Sequence, residues 1–225
     1  SCGDQVMEAI LLHQEVSKKD AREKTLELFA KVQLPSPSLI FKAYPHEISG
    51  GQKQRVMIAM AMSCNPSIVI ADEPTTALDV TVQAKIIRLL NQIREIEETS
   101  IIFISHDLGV IAEIADRVVV MYQGKIVEQG TLREVFSDPR HPYTKGLLAC
   151  RPRVDVKLKV LPTISDFMDV SAEGDFIEKK NKYKSVDEAI LLNTRHQNEL
   201  NSQRSRLYAN PPLLRVENIK TYFPV

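Results

Sequence analysis

Two short apolar runs constrain this chain more than any other feature. "SIVIAD" (Ser67–Asp72) and "SIIFISH" (Ser100–His106) are continuous rather than alternating, and each ends on a polar, chemically able side chain. Such runs are expected of strands buried on both faces. Between them Val80–Glu97 repeats apolar residues at helical spacing, so the segment reads strand, helix, strand. Parallel pairing under the right-handed crossover rule follows, giving an α/β core with a parallel sheet.

The first strand delivers Asp72 and Glu73 side by side at its C-terminal end, where open α/β sheets bind their ligands. One carboxylate can hold a magnesium ion through water, because hard oxygen ligands suit it, and the other can polarise an attacking water. A surface turn could carry the same two acids. His106 ends the second strand, where its side chain would face the same crevice as Glu73; a lone strand-end histidine is more often structural or solvated.

Upstream, "ISGGQKQR" (Ile48–Arg55) puts two glycines between a serine and an apolar segment. Ser49 can cap a helix over Gly50–Cys64. The turn offers backbone N–H groups free of side chains, a hydroxyl, and a helix dipole worth about 0.3–1 kcal/mol toward an anion. A plain serine cap with flexible glycines is the bland alternative. Lys53 and Arg55 are expected on the exposed side of this helix, and Cys64 as a buried small hydrophobe.

Around this centre, Ser1–Val32 reads as two helices, the second opened by Ser17 and Asp20 in a capping-box-like pattern. "RVVVMYQGKIVEQG" reads as two strands around Gln123-Gly124. Beyond Cys150 the pattern weakens: Arg151–Lys184 mixes charges, and "EKKNKYK" reads as solvated surface. Val186–Leu207 is a candidate polar helix, and after Pro211-Pro212 "LLRVENIKTYFPV" opens a fresh β-like run.

Composition excludes more than it proposes. Lys+Arg and Asp+Glu are both 29, so the net charge is zero and nothing global favours nucleic acid. The longest apolar runs fall far short of the roughly 20 residues of a membrane helix, and the N-terminus does not read as a signal peptide. The three cysteines are far apart and make no C-x-x-C pattern, so a metal site on them is not expected and a reducing, cytoplasmic setting is the default.

In this order and spacing, "ISGGQKQR", "IVIADEP", "TALD" and "FISHD" resemble the ATP-binding subunits of ABC transporters. "ISGGQ" is similar to the signature motif, with isoleucine where leucine is commoner; "IVIADE" to the Walker B strand with its catalytic glutamate; "TALD" to the D-loop; "SH" to the switch histidine. "SDPRHPYTKGLL" (Ser137–Leu148) is similar to the C-terminal extension of the ATPases that serve dipeptide and oligopeptide importers. "LLRVENIKTYFPV" resembles the first strand of another such unit, so the chain resembles an internal fragment of a fused tandem ATPase; the match is too short to give Phe223 the family's adenine-stacking role.

The resemblance implies a partial P-loop NTPase fold of the ABC ATPase type: residues 1–150 as the C-terminal portion of an ATPase domain (helical subdomain about 1–64, core and strands about 65–150), 151–210 as extension and linker, and 211–225 as the start of a second domain. It implies ATP and Mg²⁺ as cofactors. Glu73 orients or deprotonates the attacking water, Asp72 holds Mg²⁺ through water, and His106 contacts the γ-phosphate. Ser49, Gly50 and Gly51, with Gln52, close over a nucleotide held by the opposing unit, and Asp79 links the two sites. The implied partners are a second ATP-binding unit, fused or in trans, membrane permease subunits and, indirectly, a solute-binding protein, with no nucleic acid; the implied place is the inner face of the cell membrane. Some members of the class carry an iron–sulfur cluster on grouped cysteines; Cys150 stands alone here, so none is expected.

No G-x-x-x-x-G-K-[ST] loop occurs. The chain by itself is therefore expected to bind ATP poorly and to turn none over. The strands that the resemblance implies beside "SIVIAD" are not in the sequence either, so an exposed strand edge is expected to keep the chain from behaving as a monomer. Two other readings stay open: a soluble ABC-type ATPase acting on nucleic acid or ribosomes, and a non-catalytic regulatory or dimerisation module.

Overall fold

Helix caps written into the sequence set most of the element boundaries. The computed structural model describes residues 1–153, 155–171, 176–179 and 182–222, and these fall into two compact units, Ser1–Val118 and Val119–Val225. Phe223 and the last two residues of the β-like tail lie outside the described residues.

In the first unit, α1 (Cys2–His13) starts on a Ser1–Asp4 capping box, and α2 (Lys18–Lys31) on Ser17, whose side chain accepts from the Asp20 N–H. A short α3 (Pro37–Lys42) has proline in its first turn, where the missing N–H costs nothing. Then come α4 (Gly50–Met62) capped by Ser49, β1 (Ile68–Asp72), α5 (Val80–Ile96) capped by Asp79, β2 (Ser100–Ile104) and α6 (Leu108–Ile114). β1 and β2 pair parallel from Ile68↔Ser100 to Asp72↔Ile104, as the strand–helix–strand reading requires.

One core joins these elements. Val6, Ile10, Phe29, Val32, Val56, Ile86, Leu89 and Val110 sit in it, with Val69, Ile101 and Phe103 packed on it from the underside of the sheet. The alternate face carries Ile68, Ile70, Ile102 and Ile104, which are 58%, 67%, 52% and 46% exposed. The expectation of strands buried on both faces therefore holds on one face only: side chains two residues apart share a face, and the helices cover just one. Two further expectations change. Cys64 is exposed, because α4 ends at Met62 and the chain turns outward there. Arg55 is not merely solvated, since its guanidinium donates to the carbonyls of Val32 and Gln33 at 2.9 and 2.8 Å and ties α4 to the end of α2.

The second unit opens within β3 (Arg117–Tyr122), which pairs with β4 (Lys125–Thr131). Gln123 and Gly124 between them both have positive φ, 49° and 75°, as a two-residue hairpin turn of matching twist demands. Then follow α7 (Leu132–Ser137), α8 (Pro142–Ala149) with Pro142 in its first turn, the antiparallel pair β5 (Met168–Val170) and β6 (Phe176–Glu178), α9 (Val186–Asn193) and α10 (Gln197–Tyr208). The single polar helix expected over Val186–Leu207 is thus two. Backbone bonds from Lys159 N–H to Asn193 O and from Arg195 N–H to Lys157 O draw the chain out of the helix at Thr194. The expected strand after Pro212 is absent among the described residues, where 213–222 form no ladder.

Candidate active site

The carboxylate and imidazole expected to share a crevice are in contact. Register Asp72↔Ile104 brings both strand ends level, and the Glu73 N–H donates to the Ile104 carbonyl at 3.0 Å. Beyond that bond both chains turn away, leaving His106 Nδ1 2.7 Å from Glu73 Oε1. Glu73 has φ 46°, in the left-handed region that costs a non-glycine residue of order 1–3 kcal/mol. The turn closes with the Thr76 N–H donating to the Glu73 carbonyl at 3.2 Å and the Thr76 hydroxyl donating to Glu73 Oε2 at 2.5 Å.

These bonds bias the protonation of the pair. The Thr76 hydroxyl first, then His106, holds the Glu73 carboxyl below its ordinary range. The bond to Glu73 and its charge hold the His106 imidazole above its ordinary value. The pair is exposed, so solvent screens it, and it is a chemical feature more than a source of stability.

Asp72 ends β1 and is exposed. No group of three or more His, Cys, Asp or Glu side chains that could hold a metal occurs among the described residues. A lone carboxylate fits the outer, water-bridged role and not an all-protein cage, which is the usual case for Mg²⁺ beside a nucleotide.

The signature-like turn is a full capping box. Ser49 Oγ accepts from the Gln52 N–H at 3.3 Å, and Gln52 Oε1 accepts from the Ser49 N–H at 2.8 Å. The N–H groups of Gly50 and Gly51 keep no protein acceptor among the described residues, so the turn presents two donors and a hydroxyl to solvent. Gln52 is thereby occupied within its own chain. Asp79 is occupied too: its carboxylate caps α5 through the Val82 N–H at 2.9 Å.

Sequence reasoning missed two participants. Thr76 lies within the "TALD" stretch but gives no sign of bonding to Glu73, since only the left-handed turn folds it back. Val82 is the other. A Cβ built on Gly51 would lie 2.6 Å from Val82 Cγ1, and one on Gly50 3.4 Å from Leu78 Cδ2. The glycines that open the turn to an anion also let α4 seat on the start of α5.

An exposed carboxylate–imidazole pair therefore stands at the C-terminal end of the parallel strand pair, in the same unit as a Ser-Gly-Gly helix start. Comparison with known proteins gives the family. Residues 4–76 match the family model described as ABC transporter, and residues 127–171 the model described as oligopeptide/dipeptide transporter, C-terminal region. A dimeric structure of MJ0796, a bacterial ABC transporter cassette, superposes with a TM-score of 0.52 at 29% identity, over 59% of this chain and 57% of that one. The chain belongs to the ATP-binding proteins of ABC transporters, and its fold is a partial α/β ATPase domain of that type.

Within that family its relatives include peptide-transport ATP-binding proteins. It is 54% identical to the dipeptide transport ATP-binding protein DppD of Bacillus subtilis (strain 168), over 68% of this chain and 46% of that protein. It is 41% identical to the glutathione import ATP-binding protein GsiA of Escherichia coli (strain K12), over 99% of this chain and 32% of that protein. The chain thus spans about half, or a third, of the length of these curated relatives.

Proposed function

We propose that the chain is part of an ATP-hydrolysing subunit that energises a peptide-importing ABC transporter. The observation that carries this reading is the Glu73–His106 contact of 2.7 Å at the mouth of the strand pair. Glu73 is the base that orients the attacking water and takes its proton as oxygen bonds to the γ-phosphorus and the bond to ADP breaks. His106, held by Glu73, presents its other ring nitrogen toward the γ-phosphate. Magnesium, bridged by water to Asp72, would neutralise charge on the phosphates.

Ser49, Gly50 and Gly51 serve a different nucleotide, one cradled by a second ATP-binding unit. Their free donors lie at a helix start, and the turn acts as half of a shared site. Asp79, which caps α5, links the two sites of the pair. Gln52 stiffens the turn from behind. Closure on ATP and release on hydrolysis need a few kcal/mol of differential binding, which γ-phosphate contacts can supply.

The match of residues 127–171 to the oligopeptide/dipeptide extension supports di- or oligopeptides as cargo, and the GsiA likeness brings in glutathione, itself a short peptide. The same likeness runs over 99% of this chain, residues 151–210 included, which we assign as extension and linker. Permease subunits and, through them, a solute-binding protein complete the assembly at the inner face of the membrane. No helix among the described residues is long and apolar enough to cross a membrane.

The test is ATPase and uptake assays on the full-length protein reconstituted with its permease. Glu73→Gln should abolish turnover while ATP still binds, and labelled dipeptides, oligopeptides or glutathione should be taken up only with intact Glu73. Unchanged turnover in Glu73→Gln would refute the assignment, and this chain alone should hydrolyse no ATP.

A further inference from the structure

We propose that Thr76 is the positioning residue of the hydrolytic site, holding Glu73 in the one rotamer from which it can act. The proposal rests on the ATPase reading above and adds a residue to it. Glu73 sits on a short left-handed turn, so its side chain starts from a backbone direction that few rotamers suit. An exposed carboxylate there would ordinarily sample several orientations. Here the two oxygens are divided between two partners: Oε2 takes the Thr76 hydroxyl at 2.5 Å and Oε1 takes His106 Nδ1 at 2.7 Å. The backbone bond from the Thr76 N–H to the Glu73 carbonyl, 3.2 Å, fixes the donor relative to the residue it holds.

The division has a chemical consequence. A carboxylate oxygen has two acceptor sites, so each oxygen of Glu73 keeps one after these bonds are made. The Thr76 bond stops the carboxylate from rotating about its terminal torsion, a broad and soft one. Oε1 therefore stays beside His106, where a water directed by the imidazole can be met by a fixed base. Without the hydroxyl, His106 alone would hold the carboxylate by one oxygen, and the plane of the group would be free to turn. Misplacement of a catalytic group by about 1 Å can cost on the order of 10²-fold in rate.

Thr76 is exposed, and its hydroxyl makes no other bond among the described residues, so its loss opens no core. A threonine that served only the turn would need its N–H and not its hydroxyl.

The experiment compares Thr76→Val, Thr76→Ser and Glu73→Gln, with the double variant, in the full-length ATPase. Thr76→Val keeps the shape and removes the donor; kcat should fall about 10- to 100-fold with KM for ATP within about twofold. Thr76→Ser should recover kcat to within about threefold of wild type, because the donor returns. In the Glu73→Gln background Thr76→Val should add nothing, since the two act as one unit. In this chain, the ¹⁵N signal of His106 Nδ1 should broaden or move in Thr76→Val and keep its place in Thr76→Ser. Full kcat in Thr76→Val, or equal losses in the valine and serine variants, would overturn the proposal while leaving Glu73 as the base. Turnover that survives Glu73→Gln would instead overturn the reading of the site, and the proposal with it.

Discussion

Gly51→Ala separates two reasons for a glycine in the phosphate-reading turn. If the residue is small only so that an anion can approach, the unliganded chain should tolerate alanine. The structure says otherwise: the new methyl would sit 2.6 Å from Val82 Cγ1, with Val82 Cβ and Cγ2 at 3.8 Å. Carbon atoms are comfortable at about 3.5–4.0 Å, so one contact is too short by roughly 1 Å. Val82 cannot swing aside cheaply, because a β-branched side chain in a helix has one strongly preferred χ1. Overpacking of this kind costs about 1–3 kcal/mol. Replacing glycine by alanine in a helix returns about 0.5–1 kcal/mol, so the net loss should lie between about 0 and 2.5 kcal/mol, about 1 kcal/mol at mid-range. Shortening the partner changes the sign. In a Val82→Ala background the short contact is gone, only the helical gain remains, and Gly51→Ala should stabilise by about 0.5–1 kcal/mol. The coupling between the sites is then about 1–3 kcal/mol, well above the few tenths expected of independent positions. Urea melts of the four chains, read by circular dichroism, would measure it, with amide exchange in α4 assigning the transition to the first unit. Equal destabilisation by Gly51→Ala with and without Val82 would refute the packing argument, and no destabilisation in either would return the glycine to the ligand alone.

Other outcomes follow from the same geometry. Glu73→Gln should lower the His106 pKa toward its ordinary value of 6.5, because the bond and charge that raise it both come from Glu73; proton NMR titration of this chain would show it, and an unmoved pKa would refute the contact. That contact adds most while Glu73 is ionised and His106 protonated, so its contribution is complete below the ordinary histidine value, fades as pH rises through the raised His106 pKa, and is lost in acid as Glu73 takes up a proton. In the second unit, His141 Nδ1 accepts the Tyr143 N–H at 3.1 Å and so must be unprotonated there, and burial lowers its pKa although Glu128 and Glu178 oppose this. The start of α8 should therefore be fully capped above pH 6.5 and weaken as pH falls through the lowered value; amide exchange at Tyr143 that does not quicken in acid would count against it. Finally, Ile70→Lys with Ile102→Lys should cut dye binding and self-association without unfolding the chain, since both positions are more than half exposed. Undiminished association by light scattering would show that another surface drives it.

What could be read in the sequence follows range of interaction. The βαβ centre was legible because periodicity and crossover handedness act through near neighbours and a single pairing, and so were the caps Ser17 and Ser49, each satisfied within three residues. The Glu73–His106 meeting was legible as well, since parallel strands in register must bring their ends level. Contacts set by tertiary approach were not. Nothing local tells Arg55 to turn back to Val32, or Thr194 to leave a helix for a place opposite Leu158 in a β-bridge. The isoleucines of β1 and β2 are the instructive mismatch. Their continuous apolar pattern calls for cover on both faces, while the helices of this chain supply one. Four isoleucines in register stand exposed on one face, so the continuous apolar pattern overstates the cover these strands receive. The turn at Ser49 keeps two backbone donors without a protein acceptor among the described residues, so it adds nothing to the first unit's own hydrogen bonding there. The chain's stability and its chemistry must therefore be measured apart: Gly51 and Val82 answer for the first, Glu73, Thr76 and His106 for the second.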